Sequence, residues 1–438
     1  MPNFKNMRQL KTIILIFTTL FSFQSCRQAK TPNDLDEMFL SILANPETVP
    51  FYKIDTIDQV NIATVRFDFG SNQLVDSKEL EKLKNIKIKY IQYIYTDFKK
   101  EEKFKQDEFN IERLYEIYKV IPELFEKNED VNWKVITQTG ATKEDEAKKL
   151  FHGLIIYYKE APTVESMKKE VEYIKERLTF IHPLVKNKSL VTTLDLPDTD
   201  RIDFEGEMSL GVVDTSYTST SDDFNFSEVF SDTVVSTVLK RNKHWNDMLI
   251  SCDLTGSMSP YSAQLFIWHK LNMNKKKVQH FVFFNDGDMT PDEKKLTGKT
   301  GGIYFSNADN FDELEKVAFK CMYAGGGGDM PENDIEALLL GVEKYPKSKD
   351  IILIADNWAN MRDYSMLTKV NRPIKIILCG TQFGINKQYL DLARQTKGSI
   401  HTIEQDITNL MDLKEGQEIK IGKEKFKISK GQFIEVRK

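Results

Sequence analysis

Asp253, Thr255 and Ser257 stand at alternate positions in the run Asp253-Leu254-Thr255-Gly256-Ser257-Met258-Ser259-Pro260. One carboxylate and two hydroxyls at that spacing can face a single cradle. Their oxygens are hard donors, suited to Mg2+, Ca2+ or Mn2+ and not to zinc or copper. A second run, Gly325-Gly326-Gly327-Gly328-Asp329-Met330-Pro331-Glu332, carries Asp329 on a backbone whose four glycines allow a close approach to a ligand. A third run, Ile351 to Ala355, is apolar and ends at Asp356. The chemistry on offer is the holding of one hard divalent cation by three loops. Helix capping accounts for each residue singly: Asp253 and Ser257 ahead of a helix opened by Pro260, Asp329 ahead of one opened by Pro331. It does not account for three loops together. Glu332 reads as a residue of a helix first turn, favourable to the helix dipole, rather than as a ligand.

These runs resemble the von Willebrand factor type A family, and the resemblance covers residues 243 to 410. That family's metal-ion-dependent adhesion site uses an Asp-x-Ser/Thr-x-Ser motif, matched by Asp253, Thr255 and Ser257, and a third-loop aspartate, matched by Asp356. The family's second loop often supplies a threonine, where this chain offers Asp329. Bacterial members often carry a similar Gly-Gly-Gly-Asp-x-Pro-Glu segment. The resemblance implies a doubly wound, mostly parallel α/β fold, a bound Mg2+ (or Ca2+ or Mn2+), and cation-dependent binding of a protein partner whose own carboxylate completes the coordination. Nothing in the sequence resembles a nucleophile–base pair, a P-loop or a cofactor fingerprint, so no catalysis is expected. If Asp329 joins Asp253 and Asp356, three negative charges face a double positive one, which favours holding the metal and disfavours an acidic partner residue.

The elements that must position these loops are legible as short apolar runs alternating with amphipathic helices. The runs are Met248 to Cys252, Val278 to Phe284, Ile303 to Phe305, Ile351 to Ala355, Ile374 to Cys379 and Ser399 to Ile403. Helical spacing appears at Phe311 to Met322 and Pro331 to Glu343. Strands apolar on both faces and separated by helices predict a mostly parallel sheet covered on both sides. Ligands of such sheets bind at the strands' carboxyl ends. From 411 to 438, alternating Ile419, Ile421, Phe426, Ile428 and Phe433 predict a small β appendage. Cys252, Cys321 and Cys379 read as small core residues, His244, Trp245 and His269 as core or rim.

Residues 33 to 240 read as a mainly helical α+β region. The strongest pattern is Met167, Val171, Ile174, Leu178 and Ile181, one apolar stripe on a helix. Leu114, Ile117, Tyr118 and Ile121 form a second stripe, closed by Pro122. Thr142 with Asp145 announces a third helix, through Leu150, Leu154, Ile155 and Tyr158. The lysine-rich run from Lys78 to Lys105 reads as a helix with a solvated face. Val60 to Phe69 and Ile202 to Val213 are strand-like, and Asp214 to Asp223 reads as a linker. His152 and His182 are the only histidines of this half, and no catalytic constellation is evident.

The chain has 438 residues, 40% hydrophobic and 29% charged, with a net charge of −5, so composition gives no reason to expect nucleic acid as a partner. Lys5, Arg8 and Lys11 precede an apolar stretch, Thr12 to Phe23, too short to cross a bilayer and suited to a secretory leader. It ends in Phe23-Gln24-Ser25-Cys26, which resembles a bacterial lipobox. This implies cleavage of residues 1 to 25, a tether over 26 to 32, and membrane attachment by a lipid on Cys26. Arg27 carries no acidic signal for inner-membrane retention, so an outer-membrane, periplasm-facing position is expected. The other reading is a plain leader with an incidental cysteine. Three readings remain open: a membrane-anchored, cation-dependent protein-binding or scaffolding module; an envelope enzyme whose machinery lies in 33 to 240, with the metal domain as targeting module; and a purely structural module whose degenerate site binds no metal.

Overall fold

The computed structural model describes residues 32–54, 61–75, 83, 87–98, 104–125, 131–159, 163–182, 224–325, 331–357 and 359–436. The leader, Cys26, Asp329 and the segments 202–213 and 214–223 lie outside them. The chain is a mixed α/β protein with mixed sheets, as the alternation of runs predicts.

The first unit contains strands β1 (Glu47–Val49), β2 (Asn61–Arg66), β3 (Lys87–Thr96), β4 (Asn132–Gln138) and β5 (Gly153–Lys159). They form one sheet in the order β1-β4-β3-β5-β2, β3 pairing parallel with β4 and antiparallel with β5. Helices α1 (Pro32–Leu43) and α2 (Gln106–Val120) pack together over one face. There Phe39 meets Tyr115 and Phe125 edge-on, and Leu114 and Ile117 are buried.

Two helix expectations fail here. The run from 78 to 105 contains β3, the sheet's central strand. Ile88, Tyr90, Ile91, Tyr93, Ile94 and Tyr95 are all buried, and β-branched and aromatic residues covered on both faces favour strand over helix. Lysines on both flanks hid this. Likewise α3 spans only Glu144–Ala147, and Leu154, Ile155 and Tyr158 belong to β5, paired with both β2 and β3. The region is therefore a sheet with helices, not a mainly helical one.

Helix α4 (Val164–Thr179) forms where its stripe predicts, opened by Thr163, whose side chain accepts from Ser166 N at 3.0 Å. It serves the second unit: Val171, Ile174, Leu178 and Ile181 join the hydrophobic core of the C-terminal sheet.

That sheet has seven strands: β6 (Met248–Asp253), β7 (Val278–Phe284), β8 (Ile303–Asn307), β9 (Ile351–Asp356), β10 (Ile374–Cys379), β11 (Ser399–His401) and β12 (Asp406–Ile407). Their order is β12-β11-β10-β9-β6-β7-β8. The five central strands run parallel, and β8 and β12 close the edges antiparallel. One face is covered by α4, α5 (Val234–Arg241), α6 (Ser259–Asn272) and α7 (Phe311–Ala324). The other is covered by α8 (Asp334–Lys344) and α9 (Lys387–Gln395). β6 and β9 are buried at every position, which is why each reads as a continuous apolar run. Each fully buried Ile, Leu or Phe contributes roughly 1.5–3 kcal/mol.

The chain ends in an antiparallel meander, β13 (Glu418–Ile421), β14 (Glu424–Ser429) and β15 (Gln432–Glu435), packed on α9 through Phe426, Ile428 and Phe433. Cys252, Cys321 and Cys379 are free and buried, as expected.

Candidate metal centre

Chain order reverses between β6 and β9. β6 continues to β7 and β8 on one side, whereas β9 continues to β10 and β11 on the other. Connections leaving neighbouring strands in opposite directions open a crevice at their carboxyl ends. Asp253 ends β6 and Asp356 ends β9, and Cys252 pairs with Ile354, so both carboxylates emerge at that edge. Two of the three acidic positions, Asp253 and Asp356, thus come together at the switch point.

The hydrogen bonds show how the Asp253 loop is held and what it leaves over. Asp253 Oδ1 accepts from Thr255 N at 2.7 Å, and Leu254 N donates to Phe284 O at 2.9 Å, tying the loop to β7. Asp253 Oδ2, Thr255 Oγ1, Ser257 Oγ and Glu332 Oε2 are buried and make no hydrogen bond. Buried polar atoms are normally satisfied, at a cost of about 1–3 kcal/mol when they are not. Ser257 does not cap α6, which begins behind Met258 with no side-chain cap bond. A carboxylate oxygen and two hydroxyls left over in one loop fit a hard cation.

Glu332 is not a helix first-turn residue. Helix α8 begins at Asp334 behind Asn333, later than Pro331 suggests. Glu332 lies before it in extended backbone: its N–H donates to Asn360 O at 3.0 Å, and its carbonyl accepts from Arg362 N at 2.8 Å. The side chain is 6% exposed, and its influential charged neighbours are Asp286, Asp253 and Asp356.

Asp286, just past β7, is the residue the sequence reading missed. Its one signal was an acidic residue two positions past the apolar run Val278 to Phe284, in Asn285-Asp286-Gly287-Asp288. Asn285 shapes that loop, its Oδ1 accepting from Gly287 N at 2.9 Å and Asp288 N at 2.7 Å. Gly302 has φ +70°, and a Cβ there would lie 2.0 Å from the same oxygen, so glycine is required. Asn333 Nδ2 donates to Asn285 O at 3.0 Å and locks the second loop to β7.

These carboxyls depress one another's ionisation. Burial first, then Asp356 and Asp286, push Asp253 up to about 8. Burial, then Asp286 and Asp253, hold Glu332 well above the carboxylate range. Behind them Asp334, also raised by burial and by Asp363, meets the Tyr389 hydroxyl at 3.3 Å. Asp363 Oδ2 accepts from Glu336 N at 2.6 Å and anchors the start of α8. Among the described residues, no three His, Cys, Asp or Glu side chains form a ready-made cage. A cation held here would have to draw on the Thr255 and Ser257 hydroxyls as well as on carboxylates.

One element reaches this centre from outside the sheet. An added Cβ on Gly256 would lie 2.5 Å from Glu170 Oε1 of α4, so α4 sets its carboxylate directly against the Asp253–Ser257 loop.

Two other polar groupings have structural roles. Ser399 Oγ and His401 Nε2 are 2.7 Å apart, and His401 Nδ1 and Asp406 Oδ1 are 2.6 Å apart, an order that evokes a nucleophile, a base and an acid. Ser399 and His401 are 6% and 2% exposed, Trp245 packs edge-on over the imidazole, and Arg241 bridges Asp406. The group fastens α5 to the edge strand β12. His152 is buried against Ala147 O at 3.0 Å, and His269 is a core residue against Ala308 O at 2.8 Å.

Comparison with family models, curated proteins and solved structures gives no match for this chain.

Proposed function

We propose that residues 243 to 410 form a doubly wound domain of the von Willebrand factor A type that binds a protein partner through a divalent cation. The cation would be of the Mg2+, Ca2+ or Mn2+ class. Asp253, Thr255, Ser257 and Asp356 would hold it, and Asp329 would add charge from the second loop. The cation's role is to offer an open coordination position at the crevice mouth to a polar group of the partner. A lipid on Cys26 would keep the module at the envelope, facing the periplasm.

One observation carries this reading: buried carboxylate and hydroxyl oxygens without protein partners, gathered where β6 and β9 diverge. Crosslinked capture from bacterial envelopes, with calorimetric titration of the divalent cations, tests it. Wild-type protein should retain a partner in cation and release it in chelator. Asp253→Ala should lose both cation and partner while its cation-free stability changes by about 1 kcal/mol or less, because a crowded buried carboxylate has been removed. Unchanged cation affinity in that variant would reduce the loop to a structural turn.

A further inference from the structure

We infer that the amino edge of the seven-stranded sheet is a basic docking face for an anionic phospholipid surface. Strands β6, β7, β9, β10 and β11 run parallel. The turns that lead into them, 242–247, 273–277, 345–350, 369–373 and 396–398, therefore share one edge, at the opposite end of the strands from the crevice. Together these turns carry nine Lys or Arg against two Asp, in a chain whose net charge is −5.

Hydrogen bonds join the turns into one surface. Met248 N donates to Lys277 O at 2.8 Å and Lys349 N to Asp247 O at 3.0 Å. Arg372 Nη2 donates to Ser348 O at 2.7 Å, and Ile374 N to Thr396 Oγ1 at 3.4 Å. The two aspartates are already engaged, Asp247 with Lys349 and Asp350 with Lys375, both at 2.5 Å. Lys275, Lys276, Lys347, Lys369 and Lys397 are exposed and make no ion pair among the described residues.

Local structure does not account for this charge. The helix dipole favours cations within a helix's last turn, whereas these residues lie past the ends of α5, α6, α8 and α9 or just ahead of β10. Lys276 and Lys397 stand at φ 48° and 57°, left-handed positions that favour glycine.

The makeup of the edge selects its occupant. None of the large apolar side chains exposed on the described surface falls in these turns. The edge thus lacks the anchors on which protein partners and stacked bases depend. It offers a broad fringe of ammonium groups on flexible stems, suited to phosphate head groups spread over a plane. Seated so, the protein turns its crevice away from the bilayer, farther out by roughly 20 Å, the length of a six-residue strand such as β6.

Sedimentation with vesicles tests this, using residues 26–438 produced with Cys26→Ser so that neither leader nor lipid contributes. Vesicles of about 30% phosphatidylglycerol in phosphatidylcholine should bind the protein and pure phosphatidylcholine should not, and raising salt from about 0.05 M to about 0.5 M should release it. Lys275→Glu, Lys347→Glu and Lys369→Glu combined should weaken vesicle binding by more than about tenfold at an unchanged melting temperature. Lys420→Glu with Lys425→Glu, on exposed positions of the meander, should leave it within about twofold. Binding that ignores phosphatidylglycerol, survives the three reversals or falls with the meander pair overturns the assignment. Capture by heparin without capture by vesicles overturns it as well, and gives the edge a soluble polyanion in place of a bilayer.

Discussion

Asp253 is held at about 8 by burial and by Asp356 and Asp286, against an ordinary value of 3.8. Its folded form therefore keeps a proton that the unfolded chain gives up in mildly acid solution. The associated stability is complete below the ordinary value and is lost as pH rises toward about 8. Glu332, shifted the same way, adds to the slope. In chelator the melting temperature should climb as pH falls from about 8 to about 5, and saturating cation should flatten that climb by replacing the protons. A cation-free melting temperature that rises with pH over this range would contradict the arrangement. At this scale Asp253, Thr255, Ser257 and Asp356 were legible because alternate spacing and a strand end are properties of the chain itself. Asp286 and Glu332 were not. What makes them notable is the company of other carboxylates from distant segments, and Glu332 was disguised by a proline that suggested a helix start three residues early.

Helix α4 shows how far an element can be read. Its stripe fixed its existence and its buried face, but a stripe does not say which core it faces. Val171 and Ile174 are fully buried in the core built on β6, β7, β9 and β10. Ile174→Ala should thus cost roughly 2–5 kcal/mol in the C-terminal unit. Urea unfolding followed through that unit checks it, and a loss confined to the N-terminal sheet would place α4 elsewhere. The opposite failure is β3. A strand covered on both faces lacks the alternation that identifies a half-exposed one, and its lysine-rich flanks pulled the reading toward an amphipathic helix. Parallel strands escaped that confusion in the second unit because Gly, Pro and Asp set off each apolar run from its neighbours.

Across the whole molecule, the alternation of strands and helices announced the C-terminal sheet and the crevice at its switch point, whereas the N-terminal sheet emerged only in three dimensions. The two units also meet away from α4: Lys423 of the meander pairs with Glu47 of β1 at 3.2 Å. Such an exposed pair adds at most about 1 kcal/mol, so the buried face of α4 is the stronger join. That join gives the protein a property of a two-part lock. Its key, α4, comes from before residue 183 and the core it enters from after residue 223, and buried apolar contacts join the two. Residues up to 182 and residues from 224 onward, produced as two separate chains and mixed, should elute together from a sizing column and separate only in denaturant. Pieces that part in native buffer would show that the core contacts of α4 cannot hold without the covalent link. If they stay together, the two halves are separable components, and the stability gained on mixing them reports directly on whether α4 has seated.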